Sequence, residues 1–175
     1  MNILVVYGTT EGQTRKIGER VAARIRENGH QVELRNSAHW QNDFQIDSFD
    51  KVIIAGSVHE KRHQRSLEIF VMAGRDKLQS IPVLFLSVSL SAAFKGGLDE
   101  AQAYVDSFTE YTEWKPTRTL LVAGALRYEE YDYFMEQIVQ HVVLEGRDVD
   151  QEKEGDREFT DWEALMTAVD DFVNS

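Results

Sequence analysis

Ile3-Leu4-Val5-Val6-Tyr7 runs directly into Gly8-Thr9-Thr10-Glu11-Gly12-Gln13-Thr14, and that junction restricts the chain more than any other segment. The apolar residues read as a short buried strand. Beyond the loop, Ile17, Val21, Ala22 and Ile25 fall on one face of a helix. A turn rich in glycine and hydroxyls between a parallel strand and a helix presents unpaired backbone N–H groups at the positive helix end. Such a turn can cradle a phosphate. Thr9, Thr10 and Thr14 add hydroxyl donors, and Gly12 lets the backbone curl closely about an anion. The bland alternative is an ordinary strand-to-helix turn capped by Thr10.

Spacing removes two other phosphate loops. A Walker loop needs Gly-Lys-Ser/Thr after four residues, and no lysine stands at that place. The dinucleotide fingerprint needs Gly-x-Gly-x-x-Gly, and Gly8 to Gly12 is wrongly spaced. What remains resembles the flavodoxin signature, in which G-[ST]-T-x-G-x-T holds the phosphate of FMN without a basic side chain.

The rest of the chain alternates in the same way. Strands are expected at Gln31 to Arg35, Lys51 to Gly56, Pro82 to Leu86 and Thr117 to Ala123. Helices are expected at Ser66 to Leu78, Gly97 to Tyr111, Phe134 to Leu144 and Thr160 to Val173, with Asn28-Gly29 ending the first helix. Thr160-Asp161-Trp162-Glu163 reads as a capping box, and Glu145 to Glu158 as a charged surface loop. Five strands alternating with helices imply an α/β three-layer sandwich, a parallel sheet with helices on both faces, in one domain of 175 residues.

Composition narrows the function. The chain carries 30 acidic and 19 basic residues, net −11, which repels nucleic-acid backbones and anionic lipid. One basic stretch, His59 to Arg65, sits in an expected loop, either solvated or forming an anion-binding lip. Without cysteine there is no disulfide or thiolate, and no histidine–carboxylate spacing suggests a metal site. No apolar run is long enough to span a bilayer, and the start lacks the basic region of a signal peptide. A cytoplasmic protein is expected, at most peripheral to the inner face of the membrane; a homo-oligomer is left open.

In a parallel sheet of this kind, ligands bind beyond the carboxyl ends of the strands. Those ends are Thr9 to Thr14, Ser57-Val58-His59, Ser87-Val88-Ser89-Leu90 and Gly124-Ala125-Leu126-Arg127-Tyr128. All are rich in small or hydroxyl residues, which let backbone approach a flat ligand. These segments are the candidate cofactor-binding residues. No catalytic residue can be singled out.

Over essentially its whole length the chain resembles the flavodoxin-fold, menaquinone-dependent protoporphyrinogen oxidases (protoporphyrinogen IX dehydrogenases). The resemblance rests on Gly12-Gln13-Thr14, Ser57-Val58 with its histidine-containing loop, Ser87 to Leu90 and Ala123-Gly124-Ala125-Leu126-Arg127-Tyr128, with Thr160-Asp161-Trp162 and Trp114 before Pro116. It implies a sheet order of 2-1-3-4-5, an FMN cofactor, a porphyrinogen substrate of haem synthesis and a quinone acceptor. Two departures stand out. Lys61 replaces a usual Gly, and Ser91 to Gly97 is nearly neutral where membrane-working members tend to be basic. Neither strand-end loop holds a Trp or Tyr to stack on a flavin; only Phe94, His59 and His63 could do so locally. One ring face is then open to substrate, unless Trp40, Tyr128 or Tyr131 covers it from elsewhere. An electron-transfer flavodoxin without substrate chemistry is the rival reading, and a flavin-free regulatory domain a weaker one.

Overall fold

The computed structural model describes residues 1–39, 45–126 and 157–175. Strands β1 (Asn2–Gly8), β2 (Gln31–Asn36), β3 (Lys51–His59), β5 (Val83–Ser89) and β6 (Arg118–Ala123) form one parallel sheet, while β4 (Arg62–His63) pairs antiparallel with β3. The path β2-β1-β3-β5-β6 is the expected order 2-1-3-4-5, with the short β4 off this path on the carboxyl end of β3. Helices α1 (Gln13–Glu27), α2 (Arg65–Leu78), α3 (Leu98–Thr112) and α4 (Trp162–Asn174) cover the two faces. The expected helix Phe134 to Leu144 lies outside the described residues.

The alternation of side chains along each strand builds the layers. Ile3, Val5 and Tyr7 of β1 pack with Ile17, Val21 and Ile25 of α1 and with Leu165, Val169 and Phe172 of α4. Leu4 and Val6 face the other way, toward Leu67, Phe70 and Val71 of α2 and Val105 and Phe108 of α3. Val52 and Ile54 join the second cluster and Ile53 and Ala55 the first, as continuous apolar runs in a sheet buried on both faces require. Trp114 is 1 % exposed and meets Phe85 edge-on, a packing residue of the second layer.

Several local expectations change. His59 to Arg65 is no open loop: β3 and β4 close a two-residue hairpin whose tip, Glu60 and Lys61, has φ of 49° and 64°. Positive φ at both tip residues matches the twist of a tight hairpin, though glycine or asparagine usually fills those places. β5 runs on to Ser89, so Ser87, Val88 and Ser89 are strand residues. Thr160 is not the helix cap. Asp161 is, its Oδ1 accepting from Ala164 N at 3.0 Å, while Thr160 Oγ1 donates to Ala123 O at 2.7 Å. Arg157–Glu158, expected in a loop, forms β8 and pairs with β7 (Ala125–Leu126); 145–156 lie outside the described residues.

Lys51, at the start of β3, locks the far end of the molecule. It is 7 % exposed, and its Nζ donates to the carbonyls of Phe172, Val173 and Ser175 at 2.8, 3.0 and 2.8 Å. A cation at the carbonyl end of α4 complements the negative end of the helix dipole.

Candidate functional site

The carboxyl ends of β1, β3, β5 and β6 bring the candidate segments to one edge. Thr9, Glu11, Gln13, Thr14, Ser57, Val58, Val88, Ser89, Leu90, Gly124 and Ala125 line a common crevice. It is shallow, about 30 Å³. Pockets that engulf a ligand start near ~300 Å³, so the described residues alone do not enclose a ligand here. Thr10, Gly12, His59, Ser87 and Leu126 sit beside the crevice without lining it; Arg127 and Tyr128 lie outside the described residues, as do Trp40 and Tyr131.

Each loop group has a distinct role. Gly12 takes φ 94° at the N-cap of α1, a left-handed turn that favours glycine, and its N–H bonds Thr9 Oγ1 at 2.9 Å. Thr14 is fully buried, yet its Oγ1 has no hydrogen-bond partner. Buried hydroxyls are ordinarily bonded. An unpartnered one on the first turn of a helix, beside N–H groups with no intrahelical acceptor, is what an absent anion would complete. The donor set therefore fits a phosphate. Glu11 does not turn to solvent; its side chain is 19 % exposed and its Oε1 lies 3.8 Å from His59 Nε2.

Two supports escaped the sequence reading. Gln64, the residue before α2, donates from Nε2 to Thr10 Oγ1 at 3.1 Å and to Ser57 Oγ, tying the phosphate loop to the end of β3. Glu158 holds the other flank. Its carboxylate accepts from Gln13 Nε2 at 3.1 Å, Lys16 Nζ at 2.5 Å and Trp162 Nε1 at 2.6 Å. Partial burial alone would raise the Glu158 pKa, but the donors of Lys16, Trp162 and Gln13 hold it below the ordinary value. Gln13 Nε2 also reaches Thr160 Oγ1 at 3.0 Å, and Phe159 N bonds Gly124 O at 3.0 Å. Nothing near 13 or 64 signals these contacts, because their partners are brought close only by the fold.

The local stacking candidates are reduced to one. Phe94 is 6 % exposed and meets Phe159 at 5.7 Å between ring centres. His63, expected in a basic lip, is instead buried at 5 % exposure against Phe85 and Phe108, with Nε2 3.0 Å from Ser87 Oγ. Burial pushes its pKa down to about 3, so it is neutral at physiological pH and holds no anion. Of the three, only His59 remains beside the crevice. Among the described residues no group of His, Cys, Asp or Glu could hold a metal ion, and no helix is long and apolar enough to cross a membrane.

Comparison with known proteins agrees with this architecture. The sequence model of the flavodoxin domain matches residues 4–152. Protoporphyrinogen IX dehydrogenase [quinone] of Escherichia coli K12 is 30% identical, over 94% of this chain and 91% of its own. The Leishmania major protein of the same name is 26% identical over 97% of this chain and 74% of its own. Flavodoxin 1 of Bacillus cereus superposes with a TM-score of 0.59 at 13% identity, covering 99% of this chain and 98% of that one, a likeness of fold alone. With a family match across most of its length and a relative aligned nearly end to end, the chain belongs to the flavodoxin domain family, among the protoporphyrinogen IX dehydrogenases (quinone).

Proposed function

We propose that this protein is an FMN-dependent oxidoreductase that oxidises protoporphyrinogen IX and passes the electrons to a quinone. The observation that carries the cofactor is the buried, unpartnered Thr14 hydroxyl at the start of α1. The substrate and acceptor follow from relatives of that name aligned over nearly the whole chain. FMN supplies the redox chemistry when bound.

The residues supply position. Thr9, Thr10 and Gly12 to Thr14 hold the phosphate, with Glu11 contributing backbone and fixing His59. Ser57, Val58 and His59, with Val88, Ser89 and Leu90 and with Gly124, Ala125 and Leu126, offer backbone and small side chains to the ring; Ser87 acts beneath them through His63. Arg127 and Tyr128 belong to the same proposal. Among the described residues the small crevice and the burial of Phe94 and His63 leave no ring stacked over the site, which suits a catalyst better than a dedicated electron carrier.

Protoporphyrinogen becomes protoporphyrin by losing six electrons and six protons, which reduce three quinones to quinols. Protein reconstituted with FMN should produce protoporphyrin fluorescence well above autoxidation, under anaerobic conditions, when given protoporphyrinogen and a soluble menaquinone analogue. Stable FMN binding with no rate above background for any quinone would leave the electron carrier as the function.

A further inference from the structure

A second concavity lies on the other side of the β3–β4 hairpin, between it and α3. Its volume is about 290 Å³, and it is lined by Lys61, Arg62, His63, Glu68, Tyr104, Ser107, Phe108 and Tyr111. Val58 lines the crevice, and its cross-strand partner His63 lines this pocket, so the hairpin is a wall shared by both. We propose that this pocket is a carboxylate-binding subsite, headed by Lys61 and Arg62, that seats one acidic arm of the substrate while its macrocycle lies over the crevice. The proposal rests on the porphyrinogen reading above and adds how that substrate is held.

Charge is the first argument. In a chain of net charge −11, this corner brings Lys61 and Arg62 to the pocket and pairs Arg62 and Arg65 with the carboxylate of Glu68. Glu68, whose side chain is 4 % exposed, accepts from Arg62 Nη2 at 2.9 Å and from Arg65 Nη1 at 3.1 Å. Arg62 and Arg65 against Glu68 leave one positive charge over, and Lys61 lines the same pocket, with Glu60 beside it at the hairpin tip. Arg62 has five N–H donors and gives one to Glu68, so a second, bidentate partner can be taken. Among the described residues Lys61 has no ion-pair partner.

Shape is the second. The floor is apolar and aromatic: Phe108 stacks on Phe85, and the neutral His63 ring meets both. Tyr111 stands at the rim, 48 % exposed, with the guanidinium carbons of Arg62 and Arg65 at 5.4 and 5.6 Å from its ring centre. A methylene arm can lie on that floor with its carboxylate at the cationic rim. At about 290 Å³ the pocket stands at the low end of the ~300–1,000 Å³ range of pockets that engulf drug-sized ligands, ample for a propionate arm and small for a tetrapyrrole. Lys61 sits at φ 64°, where a glycine would be unstrained, and strain of this kind is retained most often where the side chain has work to do. The two propionate arms of protoporphyrinogen supply the matching chemistry.

The test compares the dicarboxylic substrate with its dimethyl ester in the same detergent, in wild type, Lys61→Gln and Arg62→Gln. Lys61→Gln carries the weight, since Arg62→Gln also removes a partner from buried Glu68. Wild type should prefer the diacid, and the preference of KM for diacid over diester should shrink roughly 5- to 10-fold in Lys61→Gln and more in Arg62→Gln. In parallel, fluorescence titration with protoporphyrin and its dimethyl ester reads the pocket without turnover, and the diacid preference there should weaken with added salt. Equal losses for acid and ester, or an unchanged preference in both variants, would overturn the subsite. If wild type oxidises neither form yet binds the diacid in a Lys61-dependent way, the proposed reaction fails and the subsite stands.

Discussion

A hydroxyl sealed from solvent with nothing to bond costs free energy, and Thr14 Oγ1 is such a group. Its neighbours in the loop are bonded internally: Thr9 to the Gly12 N–H, Thr10 to Gln64. Gln64 Oε1 and Trp114 Nε1 are likewise unpartnered, but Thr14 Oγ1 is the one at the helix start where a phosphate oxygen would satisfy it, so the defect of the free protein becomes affinity for the ligand. Replacing Thr14 with valine keeps the branched shape and deletes only the hydroxyl. The fold should hold, with a melting temperature equal to or slightly above wild type, because no protein hydrogen bond is lost. FMN should bind about 1–3 kcal/mol more weakly, roughly 5- to 150-fold in Kd. Flavin titration beside thermal unfolding separates the two effects, and a destabilised fold with unchanged FMN affinity would give Thr14 a structural role instead.

At the scale of elements, the five parallel strands and the helices α1 to α4 agree with their sequence patterns to within a few residues, because each is set by local periodicity. Ile3, Val5 and Tyr7 alternating with Leu4 and Val6 dictate a strand buried on both faces, wherever the rest of the chain goes. The tight hairpin of Glu60 and Lys61 was not legible, since neither residue advertises positive φ. Nor was the burial of His63, which depends on Phe85 and Phe108 arriving from distant strands and helices. Phosphate-loop chemistry could be read because its residues are contiguous; the Gln64 and Glu158 supports could not, because theirs are not. Lys51 shows the same limit. Its position at a strand start looks like solvated charge, yet it bonds three carbonyls at the end of α4. Burial, and then the nearby Arg118 charge, lower its pKa, so the contacts are made at some electrostatic cost. Lys51→Met should still destabilise the protein by about 2–3 kcal/mol, since it leaves those carbonyls without their charged donor. Chemical denaturation should show a lower midpoint with unchanged slope, and hydrogen exchange should speed first in the last turn of α4.

Across the described residues, two apolar layers meet on one sheet, and the site forms at the carboxyl ends of its strands. His63 ties these facts together. It lies in the α2–α3 layer, and through Ser87 it braces the strand whose next residues line the crevice. Its folded pKa of about 3 lies below the ordinary histidine value of 6.5, because burial disfavours the charged ring. The unfolded chain therefore takes up a proton near pH 6.5 that the native state refuses until about pH 3. Where the unfolded state binds more protons, stability rises with pH. His63 thus contributes nothing adverse above pH 6.5 and destabilises progressively as pH falls from there toward 3, by about 1.4 kcal/mol per pH unit. Titrating carboxylates act over part of the same range, so the wild-type curve alone does not isolate this group. The difference between wild type and His63→Gln does: at pH 5 the wild type should have lost about 2 kcal/mol relative to the variant, compared with their difference at pH 8. Urea unfolding at both pH values, with FMN saturating or absent in both proteins alike, gives that number. A difference independent of pH would mean that His63 is protonated inside the fold, and that the aromatic layer admits water beneath the site.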